Sequence, residues 1–127
     1  MIAQILLADD NLDITELLKE YLTGKGNHVI VVNDGYQLAQ KANEHLPHLI
    51  ITDIQMPGAY GSSAYQVLQK DARTKNIPVI FISAHAYAKL SPILPKDPKT
   101  RFVQKPINLD KLYELILELL PLGGYCP

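Results

Sequence analysis

Five polar residues of this chain stand where apolar runs stop: Asp9, Asp10, Asp53, Ser83 and Lys105. Together they would form an oxygen-rich acidic site with one hydroxyl and one ammonium. Carboxylates gathered at one place repel, at about 4 kcal/mol for two unit charges 4 Å apart at an effective dielectric of 20. A proton or a cation must relieve that repulsion. A donor set of hard oxygens without cysteine or histidine favours Mg²⁺, held through one or two carboxylates and water. A metal beside Asp53 would also offset the charge of an incoming phosphoryl group. Ser83 can donate a hydrogen bond to a phosphoryl oxygen, and Lys105 brings a positive charge with rotatable donors. A carboxylate nucleophile, a metal and electrostatic clamps are the requirements of phosphoryl transfer. The sequence contains neither a Gly-x-x-x-x-Gly-Lys phosphate loop nor a Gly-x-Gly-x-x-Gly turn, so ATP bound to this chain is not the expected donor.

Each of these residues has a plainer reading. Asp9-Asp10 could merely cap the first helix, Asp53 could be a turn residue before Pro57, Ser83 could end a strand without further role, and Lys105 could be solvated. Their joint position decides the matter, and the elements supply it. Residues 3–8 read as a buried strand, 28–32 as a second, 48–53 as a third, 77–82 as a fourth and 101–104 as a fifth. Between them the apolar period becomes helical. Leu12, Ile14, Leu17, Leu18, Tyr21 and Leu22 line a first helix capped by Asn11 and stopped by Gly24 and Gly26. Leu38, Ala39, Ala42 and Leu46 line a second, capped by Asp34. A third is expected over 61–72, and a last one runs from Leu109 to Leu120 behind Asn108. Strands alternating with helices imply a parallel sheet covered on both faces, with ligands bound beyond the carboxyl ends of the strands. Four of the five strands end there on one of the polar residues.

The composition is that of one folded domain: 127 residues, 47% hydrophobic, net charge -1. No overall field favours nucleic acid or an anionic membrane. The first residues run into Asp9-Asp10 without a basic leader and are not read as a signal peptide, and no apolar run approaches a membrane span. With Cys126 as its one cysteine the chain has no disulfide framework, so a reducing, cytoplasmic setting is expected. His28, His45, His48 and His85 show no metal-ligand spacing and are expected at the surface or in structural roles. Tyr60, Tyr65 and Tyr87 are expected to pack rather than to stack on bases.

In this order the motifs resemble the receiver domain of two-component response regulators, of the CheY-like type, over nearly the whole chain. The resemblance rests on Asp9-Asp10 after an apolar strand, Asp53 followed by Met56-Pro57 and Gly61, Ser83-Ala84, and Lys105-Pro106. It implies a flavodoxin-like, doubly wound five-stranded parallel sheet of order 2-1-3-4-5, with a receiver domain over 1–121 and a tail over 122–127. It further implies that Asp53 accepts a phosphoryl group from a phosphohistidine of a sensor histidine kinase or phosphotransfer protein. Asp10, Asp53 and the backbone carbonyl of Gln55 would then ligate Mg²⁺, and Asp9 would act through water. Ser83 and Lys105 would bind the phosphoryl oxygens, Ala84 would leave room for them, and Ser83 and Phe102 would form the switch. A downstream protein is implied, but neither DNA nor a membrane as a direct partner. Such a module phosphorylates itself and slowly hydrolyses the phosphate, and it transforms no small molecule. Whether the receiver stands alone or belongs to a larger protein is left open. An aspartyl-phosphate phosphatase of similar fold would carry a second acid two residues past the nucleophile, where this chain has Gln55. The complete set of site residues argues against an inactive docking scaffold.

The stretch 84–100 departs from that family. Pro92, Pro95 and Pro98 recur every three residues, and proline inside a helix costs about 3 kcal/mol. A proline-broken fourth helix is therefore expected: a short turn near 84–91, then an irregular loop. Its cations Lys89, Lys96, Lys99 and Arg101, against Asp97, suggest an extended basic segment for partner recognition.

Overall fold

A computed structural model of the chain describes residues 2–54, 61–85, 94 and 97–125, and of residues 61–63 the backbone alone. Its strands are β1 (Gln4–Ala8), β2 (His28–Val32), β3 (Leu49–Asp53), β4 (Val79–Ser83) and β5 (Thr100–Gln104). They form one parallel sheet in the expected order β2-β1-β3-β4-β5. The helices are α1 (Leu12–Gly24), α2 (Gly35–His45), α3 (Gly61–Gln69) and α4 (Leu109–Leu119), the last running on into a 3₁₀ turn at Leu120–Gly123.

β3 and β4 are buried along their whole length. That is why they read as unbroken apolar runs rather than alternations. Alternation of side chains divides the core in two. Leu6, Ile50, Val79 and Phe81 point to α2 and α3, where they meet Leu38, Ala42, Tyr65 and Leu68. Ile5, Leu7, Ile51, Ile80 and Ile82 point to α1 and α4, where they meet Leu18, Leu22, Leu112, Ile116 and Leu119. Each such aliphatic side chain contributes about 1.5–3 kcal/mol by leaving water.

The helix starts follow local chemistry. Asn11 Oδ1 accepts from Ile14 N at 3.2 Å, Asp34 Oδ1 from Gln37 N at 2.8 Å, and Asn108 Oδ1 from Lys111 N at 3.1 Å. Each bond satisfies an amide that the helix leaves without a partner. The ends and faces depart more from expectation. α3 stops at Gln69 instead of continuing to 72. The Thr74 hydroxyl donates to Leu68 O at 2.7 Å and the Asp71 carboxylate accepts from Arg73 N at 2.8 Å, which folds 70–76 into a turn. On α1, Leu12 and Leu17 point outward, 68% and 50% exposed, and Thr15, Leu18 and Leu22 take the inner stripe. Leu46 is no inner-face residue either. It ends α2 in the left-handed region (φ 47°) and is half exposed.

Of the expected tail, residues 122–125 lie against the foot of the sheet. A Cβ on Gly123 would come within 1.9 Å of His48 O, so only glycine permits this approach. The proline-broken fourth helix falls largely outside the described residues, as do Pro92 and Pro95. Ala84 and His85 form a bend, and Pro98 lies in a turn closed by Thr100 N donating to Asp97 O at 3.0 Å.

Candidate functional site

The hydrogen-bond ladder runs one residue beyond several strands. Asp9 N donates to Val32 O at 3.2 Å, Ile54 N to Ile82 O at 3.1 Å, and Lys105 N to Ser83 O at 2.7 Å. Side-chain alternation therefore still applies at the carboxyl edge. Asp9, Asp53 and Lys105 each follow by two residues a side chain of the α1/α4 face: Leu7, Ile51 and Val103. Ser83 follows Phe81, on the α2/α3 face. Asp9, Asp53 and the lysine thus approach from one side of the sheet and the serine from the other.

The resulting geometry is compact. Asp9, Asp10 and Asp53 each offer a carboxylate oxygen such that the three lie within 4.8 Å of one another. Asp9 is fully buried and Asp53 nearly so, whereas Asp10 is exposed. Lys105 reaches across from β5, its Nζ 3.1 Å from Asp9 Oδ2 and 3.3 Å from Asp53 Oδ2. Burial works to lower the pKa of this ammonium. The short contact to Asp9 and the charges of Asp53 and Asp9 outweigh it and hold the group above the usual lysine range. One lysine offsets one of the carboxylate charges, so the cluster retains a surplus of negative charge. Asp9 Oδ1 accepts from Asn11 N at 2.9 Å, but its enclosed Oδ2 receives no hydrogen bond of good geometry despite the nearby lysine. An all-oxygen set with an enclosed, under-coordinated carboxylate oxygen suits a hard divalent cation.

Ser83 is buried, and its Oγ accepts from His85 N at 3.0 Å. The hydroxyl proton remains for an acceptor at the mouth of the site. Phe102 lies in register with Phe81 and packs, half-buried, on the α2/α3 core. Ala84 is exposed beside Ser83. Gln55, expected to supply a backbone carbonyl to the metal, lies outside the described residues, with Met56 and Pro57.

Another polar centre was not foreseen. Lys99, expected in a free basic loop, is largely enclosed. Its Nζ donates to Asp97 Oδ2 at 2.7 Å, to Gln69 Oε1 at 3.1 Å and to the Tyr65 hydroxyl at 3.2 Å. The same Nζ lies 5.5 Å from the centroid of the Tyr65 ring, which meets Phe81 edge to face. Arg101 pairs with Glu118 at 3.0 Å. Of the cations expected to recognise a partner, both described ones are committed inside the molecule, and Lys89 and Lys96 lie outside the described residues. The expected packing role of Tyr65 is what the structure shows.

A parallel sheet of order 2-1-3-4-5 with this acidic edge defines a class, and comparison with known sequences agrees with it. The chain belongs to the response regulator receiver domain family, whose sequence model matches residues 5–117. Over 120 residues it is 29% identical to the signal transduction histidine-protein kinase BarA of Escherichia coli K12, covering 94% of this chain but only 13% of BarA. It is 27% identical to the polar-differentiation response regulator DivK of Brucella abortus, covering 94% of this chain and 98% of DivK. Among solved structures it resembles the receiver domain of the sensor histidine kinase PA1611 of Pseudomonas aeruginosa, with a TM-score of 0.87 at 22% identity, over 95% of this chain and 99% of the other. That structure has a magnesium ion coordinated in its active site cleft. The chemotaxis response regulator CheY4 of Vibrio cholerae superposes with a TM-score of 0.82 at 20% identity, over 94% of this chain and 99% of the other. The chain is thus a receiver domain of two-component signalling. No described helix is long and apolar enough to cross a membrane.

Proposed function

We propose that Asp53 is the phosphoacceptor of a phosphorelay, in a Mg²⁺-dependent reaction, and that its phosphorylation switches the binding of a partner. The observation that carries this reading is the placement of Asp9, Asp10 and Asp53 around one point, with Lys105 bridging Asp9 and Asp53. Asp53 Oδ attacks phosphorus, the new O–P bond forms, and the N–P bond of a partner's phosphohistidine breaks. The leaving imidazole keeps the bonding electron pair and takes up a proton. Bound Mg²⁺ would offset phosphoryl charge, held by Asp10, Asp53 and the Gln55 carbonyl, with Asp9 acting through water. Lys105 is positioned to move from its carboxylates onto a phosphoryl oxygen, and Ser83 to donate to another from the opposite side of the sheet. Ser83 and Phe102 share that face, which gives the switch a route from the site to the surface of β5.

The donor partner is a sensor histidine kinase or a phosphotransfer protein, and the output partner is a protein rather than DNA. The chain acts as a signalling module of the cytoplasm. It turns over no small-molecule substrate beyond its own phosphorylation and slow hydrolysis. The test is incubation with Mg²⁺ and phosphoramidate, followed by peptide mapping. One acid-stable, base-labile phosphate on Asp53 is expected, and none without Mg²⁺. A chain left unmodified, or a phosphate on another residue, would overturn the assignment.

A further inference from the structure

The opposite edge of the sheet, where the strands begin, carries an arrangement that the acidic site does not use. Gln4 opens β1 between His28 and His48, at the starts of β2 and β3. Its backbone N–H donates to His48 Nδ1 at 2.9 Å, and its carbonyl accepts from His48 N, also at 2.9 Å. Its side-chain amide lies 3.5 Å from His28 Nδ1. An imidazole nitrogen accepts a hydrogen bond only while it carries no proton. The His48 contact therefore requires the tautomer with hydrogen on Nε2.

The same ring supports the C-terminal turn. Tyr125 meets it edge to face, with centroids 5.6 Å apart, and Gly123 presses on the His48 carbonyl. Among the described residues, the titratable groups facing the ring are Tyr125 from the C-terminal turn and, through Gln4, His28 from β2. Among the described residues, no carboxylate forms an ion pair with His48 that could stabilise an imidazolium.

We infer that His48 is an acid-sensitive latch: protonation of Nδ1 ejects the Gln4 amide, loosening the start of β1 and the C-terminal turn together. Histidine is the side chain whose charge changes in the range where cellular pH varies, which is why an acid step is the perturbation to apply. The inference is independent of Asp53 chemistry, because the latch and the phosphoacceptor lie at opposite ends of β3.

The test is amide hydrogen exchange on the intact chain at pH 7.5 and pH 5.5, corrected for the intrinsic pH dependence of exchange, together with ¹⁵N shifts of the His48 ring. In the wild type, protection of Gln4 N–H and of 122–125 should fall roughly tenfold on acidification, the scale of one lost hydrogen bond. In His48→Asn, the side-chain oxygen occupies the place of Nδ1 and still accepts from Gln4, but does not titrate. Its protection should be the same at both pH values. Equal pH responses of wild type and variant would overturn the latch. So would ring shifts showing a proton on Nδ1 at pH 7.5, a measurement that needs only the wild type should His48→Asn fail to fold.

Discussion

Two lysines at opposite ends of β5 face carboxylates, and they solve different problems. Lys99, just before the strand, draws its partners from nearby: Asp97 two residues away and Tyr65 and Gln69 from the neighbouring α3. One cation meets one anion and two neutral acceptors, so the charges of the centre balance, although the Gln69 amide nitrogen is buried without a hydrogen-bond partner among the described residues. Lys105, just after the strand, meets Asp9 and Asp53, which come from β1 and β3. One cation there faces a cluster of three acids, so the centre stays short of positive charge. Lys99 holds the fold together. Lys105 is a partial occupant of a place built for more positive charge than it brings. The difference lies in the count of charges rather than in burial, since the two lysine side chains are similarly enclosed, at 14% and 17% exposure.

The sharpest way to break this distinction is Asp53→Asn. It is nearly isosteric and removes the carboxylate proposed as the nucleophile, so phosphorylation should fall from one phosphate per chain to none while the fold survives. A circular-dichroism melt beside the phosphorylation assay checks both parts, and retained phosphate would place the acceptor elsewhere.

Next in size is Lys99→Met, which leaves Asp97, Gln69 and the Tyr65 hydroxyl without their shared donor. A loss of about 1–3 kcal/mol is expected in urea unfolding, and Mg²⁺ should not restore it. Lys105→Met should behave in the opposite way, with a destabilisation in metal-free buffer that added Mg²⁺ largely removes. If Mg²⁺ rescued both variants or neither, the two centres would not differ as argued.

A smaller effect separates the centres by pH. The hydrogen bonds and charge of Lys99 hold the Asp97 carboxyl below its usual 3.8. Its contribution to stability is therefore full above that value and is lost as pH falls through the lower folded pKa. Burial alone would lower the pKa of the Lys99 ammonium, but Asp97 and Tyr65 outweigh it and raise the group above 10.5. That contribution is full below 10.5 and is lost as pH rises through the folded value. The stability gap between wild type and Lys99→Met should therefore stay flat between about pH 5 and pH 9 and close at both extremes. A gap that varied across neutral pH would point to another titrating group. Smallest of all, Arg101→Ala should cost about 1 kcal/mol, because its ion pair with exposed Glu118 is weak and its Nη1 donates to Pro98 O and Thr100 O at 2.7 and 2.8 Å.

Much of the molecule was legible in the residues themselves. Asn11, Asp34 and Asn108 announced the helix starts because a cap is a local bond between residues three apart. The apolar runs 49–51 and 79–82 announced the central strands because a strand buried on both faces needs no alternation. Asp9, Asp10, Asp53, Ser83 and Lys105 could be grouped because a parallel sheet places all its strand ends on one edge. The inner stripe of α1 was less legible: Leu12 and Leu17 are as apolar as Leu18, and only the sheet decides which leucines it covers.

Sequence alone thus determined the elements, their parallel arrangement and the acidic edge, since each follows from short-range periodicity and from residue type at a strand end. The tertiary structure decided what each charge meets. Lys99 reads in the sequence as one of several cations in a loop, and only the approach of α3 turns it inward. His48 reads as the polar first residue of a strand, and only the pairing of β1 with β3 puts its ring nitrogen under the Gln4 amide. Periodicity records which face of an element is buried, but the partner of a polar group is chosen by residues distant in sequence, and that choice exists only once the chain has folded.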